Sequence, residues 1–327
     1  MADLSTQYMG LSLRNPLLVA SCSLVNTLEG VLRCAQAGAG AIVLKSLFEE
    51  QMRAETKDFE HDIWLPGHPE AFVYVDKLGM ALGPREYLQL IREAKKATDV
   101  PIIASLNCIS PKWWADYARQ IEAAGADALE LNIAVTSSDP KRGSQEIEGI
   151  HYRIAEEVKA RVDIPIAVKI GSHFASPARV ATELCRRGAS ALVLFNRFYQ
   201  LDIDIQELTL VPGYKFSSPN EMSLPLRWIA LLSGGITCDL AASTGVHDTA
   251  GVIKQLLAGA TVVQLCSTLY LNGVEQIERI LGELETWMKK HRFESVDQMR
   301  GVLSQMQSDN PELYERLQYI KVLVGIE

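Results

Sequence analysis

No apolar stretch among the 327 residues approaches the roughly 20 that a helix needs to cross a bilayer. The first fifteen residues lack the apolar core of a signal peptide, and no amphipathic helix precedes the first apolar run. These absences predict a cytoplasmic chain that does not work at a membrane. Runs of Lys or Arg are missing too, and the formal net charge is -8 with a pI near 5.4. A phosphate backbone would meet a repelling surface, so nucleic acid is excluded as a partner. The six cysteines, at 22, 34, 108, 185, 238 and 266, show no CxxC spacing. The expectation is reduced, mostly structural thiols, with no metal site and no disulfide. Finally, no G-x-G-x-x-G follows the first apolar run, which removes the main signature of a dinucleotide-binding doubly wound sheet.

What the chain does have is a repeated unit. Ala128-Leu-Glu-Leu-Asn132 is a short apolar run that passes through Val135 into Thr136-Ser137-Ser138-Asp139-Pro140, as a buried parallel strand does where it opens into a functional loop. Comparable runs lie at Pro16–Cys22, Ala41–Ser46, Pro101–Asn107, Pro165–Lys169, Ala191–Asn196, Cys238–Ser243 and Thr261–Cys266. Between them, helical spacing predicts helices over 27–38, 84–98, 111–124, 146–162, 176–188, 225–232 and 247–258, several stopped by Gly. Gly234-Gly235 reads as a helix stop, which leaves Thr244-Gly245 as the turn after the seventh strand. Segments 47–82 and 197–224 read as long loops, and loops of that length are usually functional. Eight strands alternating with helices predict an α/β protein, a (β/α)8 TIM barrel. Ser5–Leu13 reads as an N-terminal hairpin, and helices at 273–290, 295–306 and 310–322 as a C-terminal helical extension. The whole of 1–327 is expected to form one domain, with about 291–327 packed outside.

In such a barrel the ligand sits at the C-terminal rim, so the residues closing the strands carry the site. They are Ala20-Ser21, Lys45-Ser46, Asn107, Asn132, Lys169, Asn196, Thr244-Gly245 and Cys266-Ser267. Two ammonium groups and three carboxamides around one apolar-walled pocket call for a partner rich in acceptors and carrying negative charge. A ring with carbonyl oxygens and ring nitrogens plus a phosphate meets that description, with the phosphate at Thr244-Gly245 and Cys266-Ser267. A lyase using Lys169 as a Schiff-base nucleophile is a reading from another class.

On Asn15-Pro16 with Ala20-Ser21, Ala37-Gly-Ala-Gly with Lys45-Ser46, Leu78-Gly79 with Leu82-Gly83, Glu130-Leu-Asn132, Val168-Lys169, Phe195-Asn196, Thr244-Gly245-Val246 and Leu257-Ala-Gly-Ala260 with Val263-Gln264, the chain resembles the FMN-dependent dihydroorotate dehydrogenase family. The resemblance implies a cytoplasmic flavoprotein of pyrimidine biosynthesis that passes hydride from a small cyclic substrate to FMN. It puts Lys45 and Lys169 on the flavin ring, Asn107 and Asn132 on the ring edge or substrate, and Thr244, Gly245, Cys266 and Ser267 on the phosphate. It also implies a homodimer and an electron-transfer partner. Departures lie in the substrate pocket. Val135 stands where the family has a Cys or Ser base, which turns attention to the hydroxyls of Thr136, Ser137 and Ser138 and leaves a non-catalytic flavin-binding protein as the alternative. Of four substrate-gripping asparagines, Asn132 and Asn196 remain, the other two positions falling at Asp76 and Ser137. Arg197 stands where a small hydroxyl residue is usual.

Overall fold

The computed structural model of the chain describes residues 2–51, 83–108, 111–135, 139–197, 200–213, 215–312 and 314. An antiparallel hairpin comes first, β1 (Thr6–Tyr8) and β2 (Leu11–Leu13), with Thr6 opposite Leu13. Parallel strands follow: β3 (Leu17–Val19), β4 (Ala41–Val43) with a short continuation β5 (Leu47–Phe48), β6 (Ile102–Asn107), β7 (Ala128–Asn132), β8 (Ile166–Ile170) and β9 (Ala191–Leu194). A second hairpin, β10 (Gln200–Asp204) with β11 (Thr209–Gly213), precedes the last two parallel strands, β12 (Asp239–Ser243) and β13 (Val262–Leu265). The parallel strands run in the order β4-β3-β13-β12-β9-β8-β7-β6, and pairing of β4 with β6 closes the ring. Eight strands thus form a (β/α)8 barrel.

Helices α1 (Leu28–Gln36), α2 (Pro84–Ala97), α3 (Pro111–Ala123), α4 (Ser144–Lys159), α5 (Pro177–Arg186), α6 (Ser223–Leu232) and α7 (Thr249–Ala258) cover the outside. Their starts follow local chemistry. The Thr27 hydroxyl accepts from the Gly30 amide and the Asp248 carboxylate from the Gly251 amide, while α2, α3 and α5 begin with proline where no amide partner is needed. Gly259 ends α7 with φ 118°, and a β-carbon there would lie 2.0 Å from Ser233 Oγ. After the barrel come α8 (Ser267–Asn272), α9 (Gln276–His291) and α10 (Val296–Met299).

The period of two along each strand separates two cores. Leu17, Val19, Ile42, Leu129, Val168 and Leu192 face the helices and are fully buried, each contributing roughly 1.5–3 kcal/mol by burial. Leu18, Ala41, Val43, Ala128, Ala167 and Val262 face the interior and join Tyr8, Met9 and Leu13 of the first hairpin, which plugs the N-terminal end. The Met9 amide donates to Asp239 at 2.7 Å and ties that plug to β12.

Four expectations change. Segment 197–224 is not one loop: β10 and β11 form a ribbon within it, on the alternation Leu201-Asp202-Ile203-Asp204. Residues 295–306 are not one helix, because α10 stops at Met299, Gly301 adopts φ 75°, and only a 3-10 turn, Gln305–Gln307, follows. Helix α8 occupies a stretch without a predicted helix. Cys185 and Cys238 are joined in a disulfide, since the end of α5 and the chain entering β12 bring their Cα atoms to 5.6 Å. The expected helix at 310–322 falls largely outside the described residues. Gly234 does take a left-handed conformation, φ 78°, just after α6, so β12 leads into Thr244-Gly245 as expected.

Candidate active site

Five of the interior columns climb from apolar to polar. Two residues above Val43 stands Lys45; above Ile103, Ser105 and then Asn107; above Ala128, Glu130 and then Asn132; above Ala167, Lys169; above Val262, Gln264 and then Cys266. Parallel strands put all these upper positions at one end of the barrel. That end is the C-terminal rim.

A buried charged network forms its floor. Lys169 Nζ lies 3.6 Å from Glu130 Oε1 and donates to Gln264 Oε1 at 3.4 Å, while Gln264 Nε2 donates to Glu130 Oε2 at 2.6 Å. Glu130 is 1% and Lys169 7% exposed. An ammonium group has three protons to donate and prefers acceptors near 2.9 Å, so among the described residues Lys169 is short of acceptors. Glu130 Oε1 also has no hydrogen bond among the described residues. A buried cation in this condition fits an electron-rich ligand resting on it.

Around the floor, Asn196 Nδ2 donates to Asn132 Oδ1 at 2.8 Å, joining two of the carboxamides. On the opposite wall a chain of hydroxyls links Ser21 to Ser46 at 3.0 Å and Ser46 to Ser105 at 2.7 Å, with the Ser46 amide donating to Ser21. The Tyr87 hydroxyl accepts from the Ser105 amide at 2.8 Å, filling the ladder where β4 leaves β6. Burial pushes that phenol well up, so it stays neutral. Ala20 is buried just below Ser21, its amide bonded to Leu265 O. Asn107 is half-buried at the end of β6.

At the loops after β12 and β13 the chain partly covers itself. Thr244, with φ 80°, donates its hydroxyl to Phe195 O, and Gly245, with φ 78°, lies against Glu221 and Met222, where a β-carbon would fall 2.3 Å from the Met222 nitrogen. The Ser217 amide donates to Ser267 Oγ at 3.0 Å, and Ser217 Oγ meets His247 Nε2 at 3.1 Å. Arg197 reaches into this same segment: its Nε donates to Glu221 Oε2 at 2.7 Å and its Nη1 to the Lys215 carbonyl. Partial burial raises the Glu221 carboxyl, but the bonds from Arg197 and the Ser218 amide outweigh it and the net shift is downward.

The structure therefore brings Ala20, Ser21, Lys45, Ser46, Asn107, Asn132, Lys169, Asn196, Thr244, Gly245, Cys266 and Ser267 to one rim, and turns Arg197 toward Glu221 rather than toward the two asparagines. Val135 packs against the outer core. Asp76, Thr136, Ser137 and Ser138 lie outside the described residues. Glu130, Gln264, Ser105 and Glu221 belong to the site without having been singled out as site residues. For the first three the signal was a polar side chain inside an apolar strand, which is buried and must be paired.

The sequence matches the family described as Dihydroorotate dehydrogenase over residues 3–288. Among curated relatives, the chain is similar to proteins named dihydroorotate dehydrogenase B (NAD(+)), catalytic subunit. That of Thermoplasma acidophilum is 26% identical, the match covering 92% of this chain and 99% of the relative. That of Methanothermobacter thermautotrophicus is 27% identical over 91% and 98%. With most of its length matched, the chain belongs to the dihydroorotate dehydrogenase family.

Proposed function

We propose that the protein is an FMN-dependent oxidoreductase of the dihydroorotate dehydrogenase type, acting on the CH–CH unit of a small cyclic substrate such as dihydroorotate. The observation that carries the reading is Lys169, a buried ammonium short of acceptors among the described residues, at the floor of a rim that gathers the carboxamides of Asn107, Asn132 and Asn196. Family membership and the names of the relatives support the same chemistry.

Lys45 and Lys169 would hold the flavin ring, Ala20, Ser21 and Ser46 its flank, and Thr244, Gly245, Cys266 and Ser267 the phosphate. FMN, when bound, supplies the acceptor for hydride leaving the substrate. Asn132 and Asn196 orient the substrate, since each carboxamide keeps donor and acceptor capacity beyond their mutual bond. The proton leaving the neighbouring carbon needs a base, and we assign it to the hydroxyls of Thr136 and Ser137, because Val135 has no atom that accepts one. Asp76 and Arg197 would be the remaining substrate-side residues by the family resemblance, Arg197 acting indirectly by holding Glu221.

Two partners follow. The relatives are named as catalytic subunits of NAD(+)-linked enzymes, which supports an electron-transfer partner for this chain. The ribbon β10–β11 presents Leu201, Ile203 and Leu210 on one face, 72%, 56% and 68% exposed, which supports a homodimer that covers them. Among the described residues no helix is long and apolar enough to cross a membrane.

Purified protein mixed with FMN should quench flavin fluorescence and gain flavin absorbance, and anaerobic dihydroorotate should bleach it. Protein that neither carries nor takes up FMN rejects the reading. A bound flavin that dihydroorotate leaves coloured rejects that substrate alone.

A further inference from the structure

The six cysteines fall into three groups. Cys185 and Cys238 are already joined, Cys34 and Cys108 are buried, and Cys22 and Cys266 are reduced and half-exposed. The last two sit at the same end of neighbouring strands. β3 and β13 pair in parallel, with Val19 opposite Leu265, and the Ala20 amide continues the ladder onto Leu265 O at 2.8 Å. Cys22 and Cys266 lie in the loops just beyond, close enough for their thiols to interact. The two loops are clamped alongside: the Tyr270 hydroxyl accepts from the Ser23 amide at 2.9 Å and shares a hydrogen bond with Ser23 Oγ at 2.6 Å. Nothing in the chemistry assigned to the rim uses either sulfur as a nucleophile.

We propose that Cys22 and Cys266 are a redox-active dithiol at the mouth of the barrel, converted to a disulfide by a small hydroperoxide. Cys266 is the attacking sulfur. Interaction with the Cys22 thiol lowers its pKa against the opposing effect of burial, and the positive charges of Lys169 and Arg197 lower it further. Cys22 is shifted the other way, its proton held by the interaction with Cys266 and by burial. Elsewhere burial pushes Cys34 up to about 11, and burial together with the negative charges of Glu49 and Glu50 pushes Cys108 higher still, so both stay as inert thiols.

The step balances. The Cys266 thiolate attacks one oxygen of the peroxide, the O–O bond breaks, the alcohol or water leaves with a proton, and sulfur becomes a sulfenic acid. Cys22, losing its proton, then attacks that sulfur; the S–O bond breaks, water leaves and the S–S bond forms. Two thiols are oxidised and one hydroperoxide is reduced. The product ties the Ala20-Ser21 side of the rim to Cys266-Ser267.

The test treats the full-length protein with hydrogen peroxide, blocks remaining thiols with iodoacetamide, and maps peptides without reduction. A cross-linked pair of peptides carrying Cys22 and Cys266, released by dithiothreitol, is the expected result. Alkylation of both residues after peroxide, or oxidation of Cys266 to the sulfonic acid with no cross-link, overturns the proposal. In Cys22→Ser the Cys266 sulfenic acid should persist and react with dimedone, whereas in Cys266→Ser, Cys22 should remain alkylatable and unlabelled by dimedone. Dimedone labelling of Cys22 in Cys266→Ser instead overturns the assignment of the attacking sulfur. The readout is the state of the thiols, so it separates this proposal from the flavin reading.

Discussion

Lys169 Nζ and Glu130 Oε1 lie 3.6 Å apart on adjacent strands, with Gln264 bridging them from across the rim. Their separation is wide for an ion pair buried on both sides, which leaves the ammonium free to meet a ligand while the carboxylate holds it in place. Removing either partner strands the other's charge in an apolar interior.

Lys169→Met should therefore have two effects. Flavin binding falls below detection by absorbance, and the urea midpoint drops by the equivalent of about 3–5 kcal/mol, the usual result of uncovering a buried charge. Lys169→Met combined with Glu130→Leu should recover much of the stability without recovering flavin. If the double variant is no more stable than Lys169→Met alone, the two groups do not act as a pair.

Asn196→Ala should separate substrate from cofactor. It leaves Asn132 Oδ1 without its donor and removes one carboxamide from the substrate side, a loss of about 1–3 kcal/mol, or roughly ten- to hundred-fold in kcat/KM for the reductive step. Flavin content should stay near wild type. Stopped-flow bleaching under anaerobic conditions measures the first and the visible spectrum the second; equal loss of both would place Asn196 on the cofactor instead.

The barrel was legible because its strands are short apolar runs and its helices are bounded by Pro, Gly and capping residues. The rim was legible for a related reason: Lys45, Asn107, Asn132 and Lys169 are the first strongly polar side chains after those runs or at their ends. Glu130 and Gln264 were less visible, since a strand buried on both faces hides which side chains point inward until closure of the ring sets the alternation. The ribbon at Gln200–Gly213 does alternate along β10, but Pro212 and Gly213 in its second strand read as loop. The Cys185–Cys238 bond spans 53 residues, and only the packing of α5 beside β12 brings its ends together. Glu221 escaped notice because an acidic residue in a long polar segment carries no local mark; its role comes from Arg197, 24 positions earlier.

Gly245→Ala should be among the costlier single substitutions in the chain. The residue has φ 78°, and the added carbon would lie 2.3 Å from the Met222 nitrogen and 2.8 Å from its Cα, both backbone atoms. A left-handed conformation costs a non-glycine residue about 1–3 kcal/mol and overpacking a similar amount. The sum is roughly 2–6 kcal/mol, read as a lower urea midpoint with the slope unchanged. Gly143→Ala, where no atom of the described residues lies within 4 Å of the added carbon and φ is -77°, is the control expected to fold normally.

His151 sets an acid limit on stability. It is 2% exposed on α4, its Nδ1 is 3.0 Å from Ile147 O, and Phe174 meets its ring edge-on at 5.2 Å. Burial lowers its pKa below the ordinary 6.5, with only partial compensation from the Ile147 carbonyl and Glu148. The unfolded chain therefore takes up a proton at a pH where the folded chain does not. Below 6.5 that proton favours unfolding, and the loss grows as pH falls until the folded-state pKa is reached; above 6.5 the contribution is fully present. Urea midpoints measured at about pH 8 and about pH 5 should differ more for the wild type than for His151→Gln, which has no proton to gain. Parallel pH dependence in the two proteins would show that acid destabilisation arises elsewhere and that the buried imidazole plays no part in it.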